Sequence, residues 1–171
     1  RALLWTLEGD AGRIRATGTG DLFAGAGDSA GPPSAVEPES PRERLQWELR
    51  HLGAVIGGHP FDLFPEATAA EEARAVPATA LAAHAGETVR VIGWHVTSKA
   101  ARTRNDGLPM SFLTLEDRTG LIECVLFPEA HRKYGALLHE FGPFVAGGTV
   151  RMEQGVGTVE VDALGRIADP S

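Results

Sequence analysis

A chain of 171 residues that is 43% hydrophobic can bury one modest core, and its length does not demand two. A formal net charge of -7 excludes a globally basic, nucleic-acid-coating protein, and the single cysteine excludes a disulfide framework or a CxxC metal site. No apolar run is long enough to span a membrane and no secretory signal pattern opens the chain, so a soluble, cytoplasmic protein is expected.

Residues 1–8, RALLWTLE, concentrate Leu3, Leu4, Trp5 and Leu7 and end at Gly9; they read as the end of a preceding helical region. The initial Arg1 in place of Met suggests a piece of a longer protein. Across residues 9–39 Gly, Ala, Pro, Ser and Thr dominate, with too little apolar surface to offset chain entropy, which predicts a flexible linker. Asp21, Leu22 and Phe23 interrupt it, either as a hydrophobic stub or as a short motif that folds onto a partner.

Residues 40–86 read as a helical connector. Ser40 can cap a helix, Pro41 suits its first position and Glu43 completes a capping box. Leu45, Leu49, Leu52 and Ile56 then share one face, and Gly57-Gly58 is the expected stop. His59 precedes Pro60 and reads as a capping or packing residue, since no second His or Cys stands at metal-ligand spacing. Phe61, Leu63 and Phe64 supply an apolar anchor, and the Ala-rich residues 67–85 predict a short helix and an approach segment.

The pattern then changes. Residues 89–96, 110–115 and 121–127 are rich in Val, Ile, Phe and Thr and bounded by Gly and Asp, the signature of strands. A helical run over 129–140 follows, and then strand candidates at 144–152 and 156–161. Strand, basic loop, strand, tight turn, strand, helix, strand, strand is the order of a five-stranded OB-fold barrel, here over residues 87–168. The fold class is mainly β with short helices. Within residues 88–166 nine Lys or Arg balance nine Asp or Glu, so the barrel is neutral and the acidity lies upstream. Cys124 falls inside a strand and reads as a small buried side chain.

Little in this barrel suits catalysis. Glu116 and Asp117 are adjacent at a strand end, so they point to opposite faces and read as part of a solvated turn. No phosphate loop, GxSxG or HExxH pattern occurs, and Gly155 with Gly157 reads as a hairpin turn. No catalytic residue, no metal site and no cofactor is therefore expected. Binding fits better. OB barrels hold single strands across strands 2 and 3, and Lys99, Arg102 and Arg104 lie in the loop before strand 2, within six residues and with no acid among them. They read either as phosphate contacts or as a solvated loop. Trp94, Phe112 and Phe127 are the candidate stacking platforms. Alternation sets Phe112 with Met110 and Thr114, opposite the more uniformly apolar Leu113 and Leu115, which makes Phe112 the best candidate for the outside face, although for any single aromatic a place in the core is the commoner one.

PMSFLTLEDRTGLIECVLFPEAHRKYG resembles the OB domain near the C-terminus of the bacterial DNA polymerase III α subunit, a family C polymerase. VRVIGWHVTSKAARTRNDG is similar to that domain's first strand and basic loop, the helix ending in GGHP to the family's helix before the barrel, and RALLWTLE to the end of its helix-hairpin-helix region. The resemblance implies a piece of a DNA-directed DNA polymerase (a nucleotidyltransferase), active in DNA replication or error-prone repair synthesis. Its barrel would contact single-stranded template DNA, and its Mg²⁺-binding catalytic carboxylates would lie in a palm region outside this piece. The family's linker carries a Gln-x-x-hydrophobic-Phe motif for the sliding clamp; residues 19–23 keep Leu22 and Phe23 but have Thr19 for Gln. The ALLW start and the ending soon after the barrel resemble the error-prone paralogues. Two other classes compete: an anticodon-binding OB domain of an aminoacyl-tRNA synthetase, and a protein-interaction OB module.

Overall fold

The computed structural model describes residues 39–153 and 155–167; the expectations for residues 1–38, the Asp21-Leu22-Phe23 motif among them, lie outside these. Strands β1 (Thr88–Arg102), β2 (Pro109–Asp117), β3 (Gly120–Leu126), β4 (Pro143–Glu153) and β5 (Val156–Arg166) close into a barrel in the order β1-β2-β3-β5-β4. The expected five-stranded OB fold is the one observed. A closed barrel leaves no long unpaired edge, which is how a sheet of this size avoids exposing its backbone.

Strand β1 is long because it serves two neighbours. Residues from Thr88 to Trp94 pair with β4, and Trp94 to Arg102 pair with β2. A register shift between His95 and Thr97 lets the strand bend from one partner to the other. The parallel pairing of β3 with β5, Glu123 opposite Thr158 and Val125 opposite Glu160, closes the ring. A second shift falls at Gly147/Gly148 in β4. A Cβ at Gly148 would run into the Glu160 carbonyl oxygen, so only glycine fits there.

Alternation sends one face of every strand inward. Val91, Leu113, Leu115, Ile122, Leu126, Phe144, Val150 and Val159 are fully buried in a single cluster, each worth roughly 1.5–3 kcal/mol of transfer free energy. Cys124 is buried among them, and the loss of hydration pushes its thiol up to about 12. Helix α3 (Pro128–Tyr134) and the 3₁₀ turn Gly135–His139 add Ala130 and Leu138 to this core.

The connector differs from expectation where its first helix ends. Helix α1 starts at Pro41 but ends at Leu52, not at Gly57-Gly58. Gly53 takes a left-handed φ of +70° and its amide bonds the Leu49 carbonyl at 3.1 Å. Beyond it the buried Glu48 carboxylate accepts the Ile56 and Gly57 amides at 2.7 and 2.8 Å, folding the chain back. Ile56 is left exposed, not in line with Leu45. The Ala-rich stretch forms α2 (Pro65–Glu72) and a 3₁₀ helix, Ala78–His84. His59 does cap: its Nδ1 accepts the Phe61 amide at 3.1 Å, and Asp62 accepts the His59 amide at 3.0 Å.

The acidic turn is the second correction. Asp117 is buried, not solvated; its carboxylate accepts the Thr119 and Gly120 amides and the Ala78 amide of the connector. A turn closed by three backbone donors needs a buried acceptor, and that outweighs the carboxylate's preference for water.

Candidate nucleic-acid interface

Cross-strand register defines the outer face. Trp94 stands opposite Glu116, Thr97 opposite Thr114, and Lys99 opposite Phe112 across β1 and β2; Thr114 and Phe112 then stand opposite Glu123 and Val125 of β3. Residues directly paired across strands project to the same face. Phe112 is 40% exposed while its neighbours Leu113 and Leu115 are fully buried, so Phe112 belongs to the outside. Lys99 is exposed beside it. This gives an aromatic platform with a cation at its edge.

The cations do not lie in one loop, as the sequence suggested. Lys99 and Arg102 are on β1 itself, because pairing with Pro109–Asp117 extends the strand to Arg102. Three residues apart on a strand, they project to opposite faces. Arg102 donates to the Gly107 carbonyl at 2.8 Å across the turn. Arg104 lies in the turn, which Thr103 closes by bonding Asp106 and, at 2.9 Å, Leu108. The Thr103 hydroxyl holds the Asp106 carboxyl below its usual range.

Charge is arranged unevenly over the barrel. Arg90, Arg118, Arg151 and Arg166 are each paired with a carboxylate within 3.0 Å. Among the described residues no ion pair involves Lys99, Arg102 or Arg104. Their charge remains available to an anionic ligand. One rung from Phe112, Glu123 accepts the Thr114 hydroxyl at 3.1 Å and makes that end of the face acidic. A polyanion crossing Phe112 meets attraction on the β1 side and repulsion on the β3 side.

Trp94 does not share the open surface. Phe64 of the connector stacks over it at 6.0 Å, and both line a cleft with His59, His95 and Phe141. Phe127, at 43% exposure, lies at the end of β3 over a smaller hollow with Lys133 and Glu160. Sequence reasoning placed Thr114 on the face of Phe112 but missed Val125, which only the pairing register of β2 with β3 brings opposite Phe112.

The outer face thus presents an exposed aromatic ring, Phe112, paired across the strands with Lys99. Among the described residues no group of three His, Cys, Asp or Glu side chains is placed to hold a metal ion. Among the same residues no helix is long and apolar enough to cross a membrane.

Residues 89–163 match a family model described as an OB-fold nucleic acid binding domain of the tRNA anticodon type. The chain is 28% identical over 131 residues to the DNA polymerase III subunit alpha of Mycobacterium tuberculosis, covering 72% of this chain and 11% of that protein. It is 32% identical over 134 residues to the error-prone DNA polymerase of Symbiobacterium thermophilum, covering 77% of this chain and 12% of the relative. The chain thus spans about a tenth of the length of these curated relatives. Among solved structures, asparaginyl-tRNA synthetase from Pyrococcus horikoshii aligns with a TM-score of 0.43 and 23% identity, over 57% of this chain and 23% of that one. With a closed five-stranded barrel, a matching family model and polymerase relatives that extend over the connector, the chain carries an OB-fold nucleic-acid-binding domain within a segment similar to the bacterial DNA polymerase III α subunit and its error-prone counterpart.

Proposed function

We propose that this chain is a non-catalytic part of a cytoplasmic bacterial DNA polymerase of the III α or error-prone kind, and that its barrel binds single-stranded template DNA. The observation that carries the reading is the pairing of Lys99 with an exposed Phe112 across β1 and β2. A base stacked on Phe112 puts its phosphate within the field of Lys99, and Arg104 extends that field along the turn. The polymerase relatives support DNA over tRNA as the ligand, and the rest of such a polymerase chain supplies the Mg²⁺-dependent chemistry.

The test is binding of oligo-dT by the full chain at several salt concentrations. Lys99→Ala lowers the salt slope by about 0.7, the value for one phosphate contact on a single strand. Phe112→Ala weakens binding by roughly 1–3 kcal/mol with the slope unchanged, because stacking releases no counterions. Arg102→Ala, on the opposite face, leaves both unchanged. If Lys99→Ala and Phe112→Ala bind as the parent does, the outer face is not the DNA site. A preference for oligo-U over oligo-dT would make the barrel an RNA reader.

The Asp21-Leu22-Phe23 segment supports a second partner, a sliding clamp, bound weakly because Thr19 replaces the family's Gln. A peptide covering residues 16–26 should bind the clamp of the same organism, and Phe23→Ala should abolish that binding. Unchanged binding by the variant would remove the motif.

A further inference from the structure

A cleft of about 620 Å³ is lined by residues of the connector and of the barrel, Phe64, Trp94, Glu116 and Phe141 among them. None of the described residues that line it is Lys or Arg, and Glu116 is the one Asp or Glu. Trp94 and Glu116 stand directly opposite each other on β1 and β2, so their side chains project to the same face as neighbours. Phe64 stacks on Trp94 at 6.0 Å. The cleft therefore sets two stacked rings beside one carboxylate. Val96 and Phe141, which also line it, are 45% and 72% exposed, so apolar surface beside it stays open to solvent.

Glu116 stands apart from the carboxylates that tie the connector to the barrel. Glu71 is engaged by Arg90 at 2.6 Å, Glu72 and Asp62 by Arg118 at 2.9 and 2.7 Å, and Asp117 by the Ala78 amide at 2.7 Å. Glu116 is half-buried, and among the described residues no hydrogen bond or ion pair engages its side chain. Its lost hydration is not replaced by a donor of this chain. His59 does not serve as the missing charge. Burial, and then the Arg118 charge, hold its ring below its ordinary pKa against the pull of Glu116, so it is neutral near pH 7.

Elsewhere in the connector the same combination of ring and carboxylate holds a cation. The Arg118 guanidinium lies over the Phe61 ring at 5.9 Å while Asp62 and Glu72 pair with it. In the cleft Trp94 and Phe64 correspond to Phe61, and Glu116 to Asp62, with no Lys or Arg of this chain among the lining residues.

We propose that the cleft takes a cationic side chain, arginine or lysine, presented by a partner polypeptide. An indole attracts a cation more strongly than any other side-chain ring, and Glu116 supplies the counter-charge. The aliphatic stem of the entering side chain lies along the apolar walls while its head reaches the carboxylate. The exposed Val96 and Phe141 offer apolar surface to the residues flanking that cation, which a polypeptide has and a small free cation lacks. A nucleic-acid strand does not suit the cleft, because its phosphates would meet Glu116 with no Lys or Arg to offset it. The site is thus separate from the Lys99–Phe112 face and does not rest on the DNA reading.

The test titrates the full chain with the capped tripeptide acetyl-Leu-Arg-Leu-amide, following the indole Nε1–H resonance of Trp94. The same peptide with citrulline for arginine keeps the shape and removes the charge. The arginine peptide should move the resonance and bind about fivefold or more tighter than the citrulline peptide, by a margin that shrinks as salt is raised. Glu116→Gln should bring the two peptides to equal affinity. Oligo-dT should leave the Trp94 resonance in place. A Trp94 resonance unmoved by the arginine peptide overturns the proposal. Equal binding of the two peptides by the parent would do the same and make the cleft an apolar groove. So would a folded Glu116→Gln variant that keeps the arginine preference. Methylguanidinium binding as tightly as the peptide would remove the polypeptide, and oligo-dT moving the resonance in place of the peptide would give the cleft to nucleic acid. The comparison of peptides on the parent needs no variant, so misfolding cannot spoil it.

Discussion

Asp117 accepts the backbone amide of Ala78 at 2.7 Å, joining the β2–β3 turn to the connector across 39 residues of sequence. Its other oxygen takes the amides of Thr119 and Gly120 and the Thr119 hydroxyl at 2.7, 2.8 and 2.7 Å. One buried carboxylate thus orders a turn and docks a second segment on it. Nearby the Val76 amide bonds the Arg90 carbonyl at 2.8 Å, so the connector is held on the barrel by backbone as well.

Asp117→Ala should leave these four donors without their acceptor. Losing charge-assisted hydrogen bonds in a buried place should cost about 2–4 kcal/mol in urea unfolding, with the m-value unchanged. Asp117→Asn should recover only part, because its amide nitrogen cannot accept. A loss under about 1 kcal/mol for the alanine variant would mean that the turn and connector hold without this carboxylate.

Acid sensitivity should arise in part from Asp62. The Arg118 guanidinium at 2.7 Å and the His59 amide hold its carboxyl below the usual range. A group whose folded pKa is depressed contributes stability that is complete above the unfolded value, about 3.9, and is lost as pH falls through the folded one. Stability should therefore decline below about pH 4, and Arg118→Ala should flatten that part of the curve. Both side chains are about two-fifths exposed, so the effect should be small and shrink further in high salt. A stability profile below pH 4 that is identical in the parent and Arg118→Ala would separate Asp62 from the acid response.

The two faces of β2 should respond oppositely to truncation. Leu113 is fully buried, and Leu113→Ala should destabilise by about 2–5 kcal/mol through lost contacts and the cavity left behind. Phe112, on the outside, should cost under about 1 kcal/mol on the same change. Thermal or urea unfolding decides it. Equal losses would place Phe112 in the core and remove it as a stacking platform.

Local pattern carried much of this protein. Runs of β-branched and aromatic residues bounded by Gly and Asp marked five strands in OB order, alternation placed Phe112 outside and Leu113 inside, and a lone His before Pro60 marked a cap. These features depend on residues within a few positions of one another, and so they are legible in sequence. What depended on distant partners was not. Strand β1 runs on to Arg102 because β2 offers it a ladder, which moves Lys99 and Arg102 out of the loop and onto opposite faces. Helix α1 stops at Leu52 because Gly53 takes a left-handed turn and the Glu48 carboxylate claims the amides of Ile56 and Gly57. Asp117 is buried because Ala78 arrives from the connector, and His59 meets His95 in one cleft only after the connector folds over β1. Periodicity decides which way a side chain points; hydrogen bonds and packing between remote segments decide what it faces.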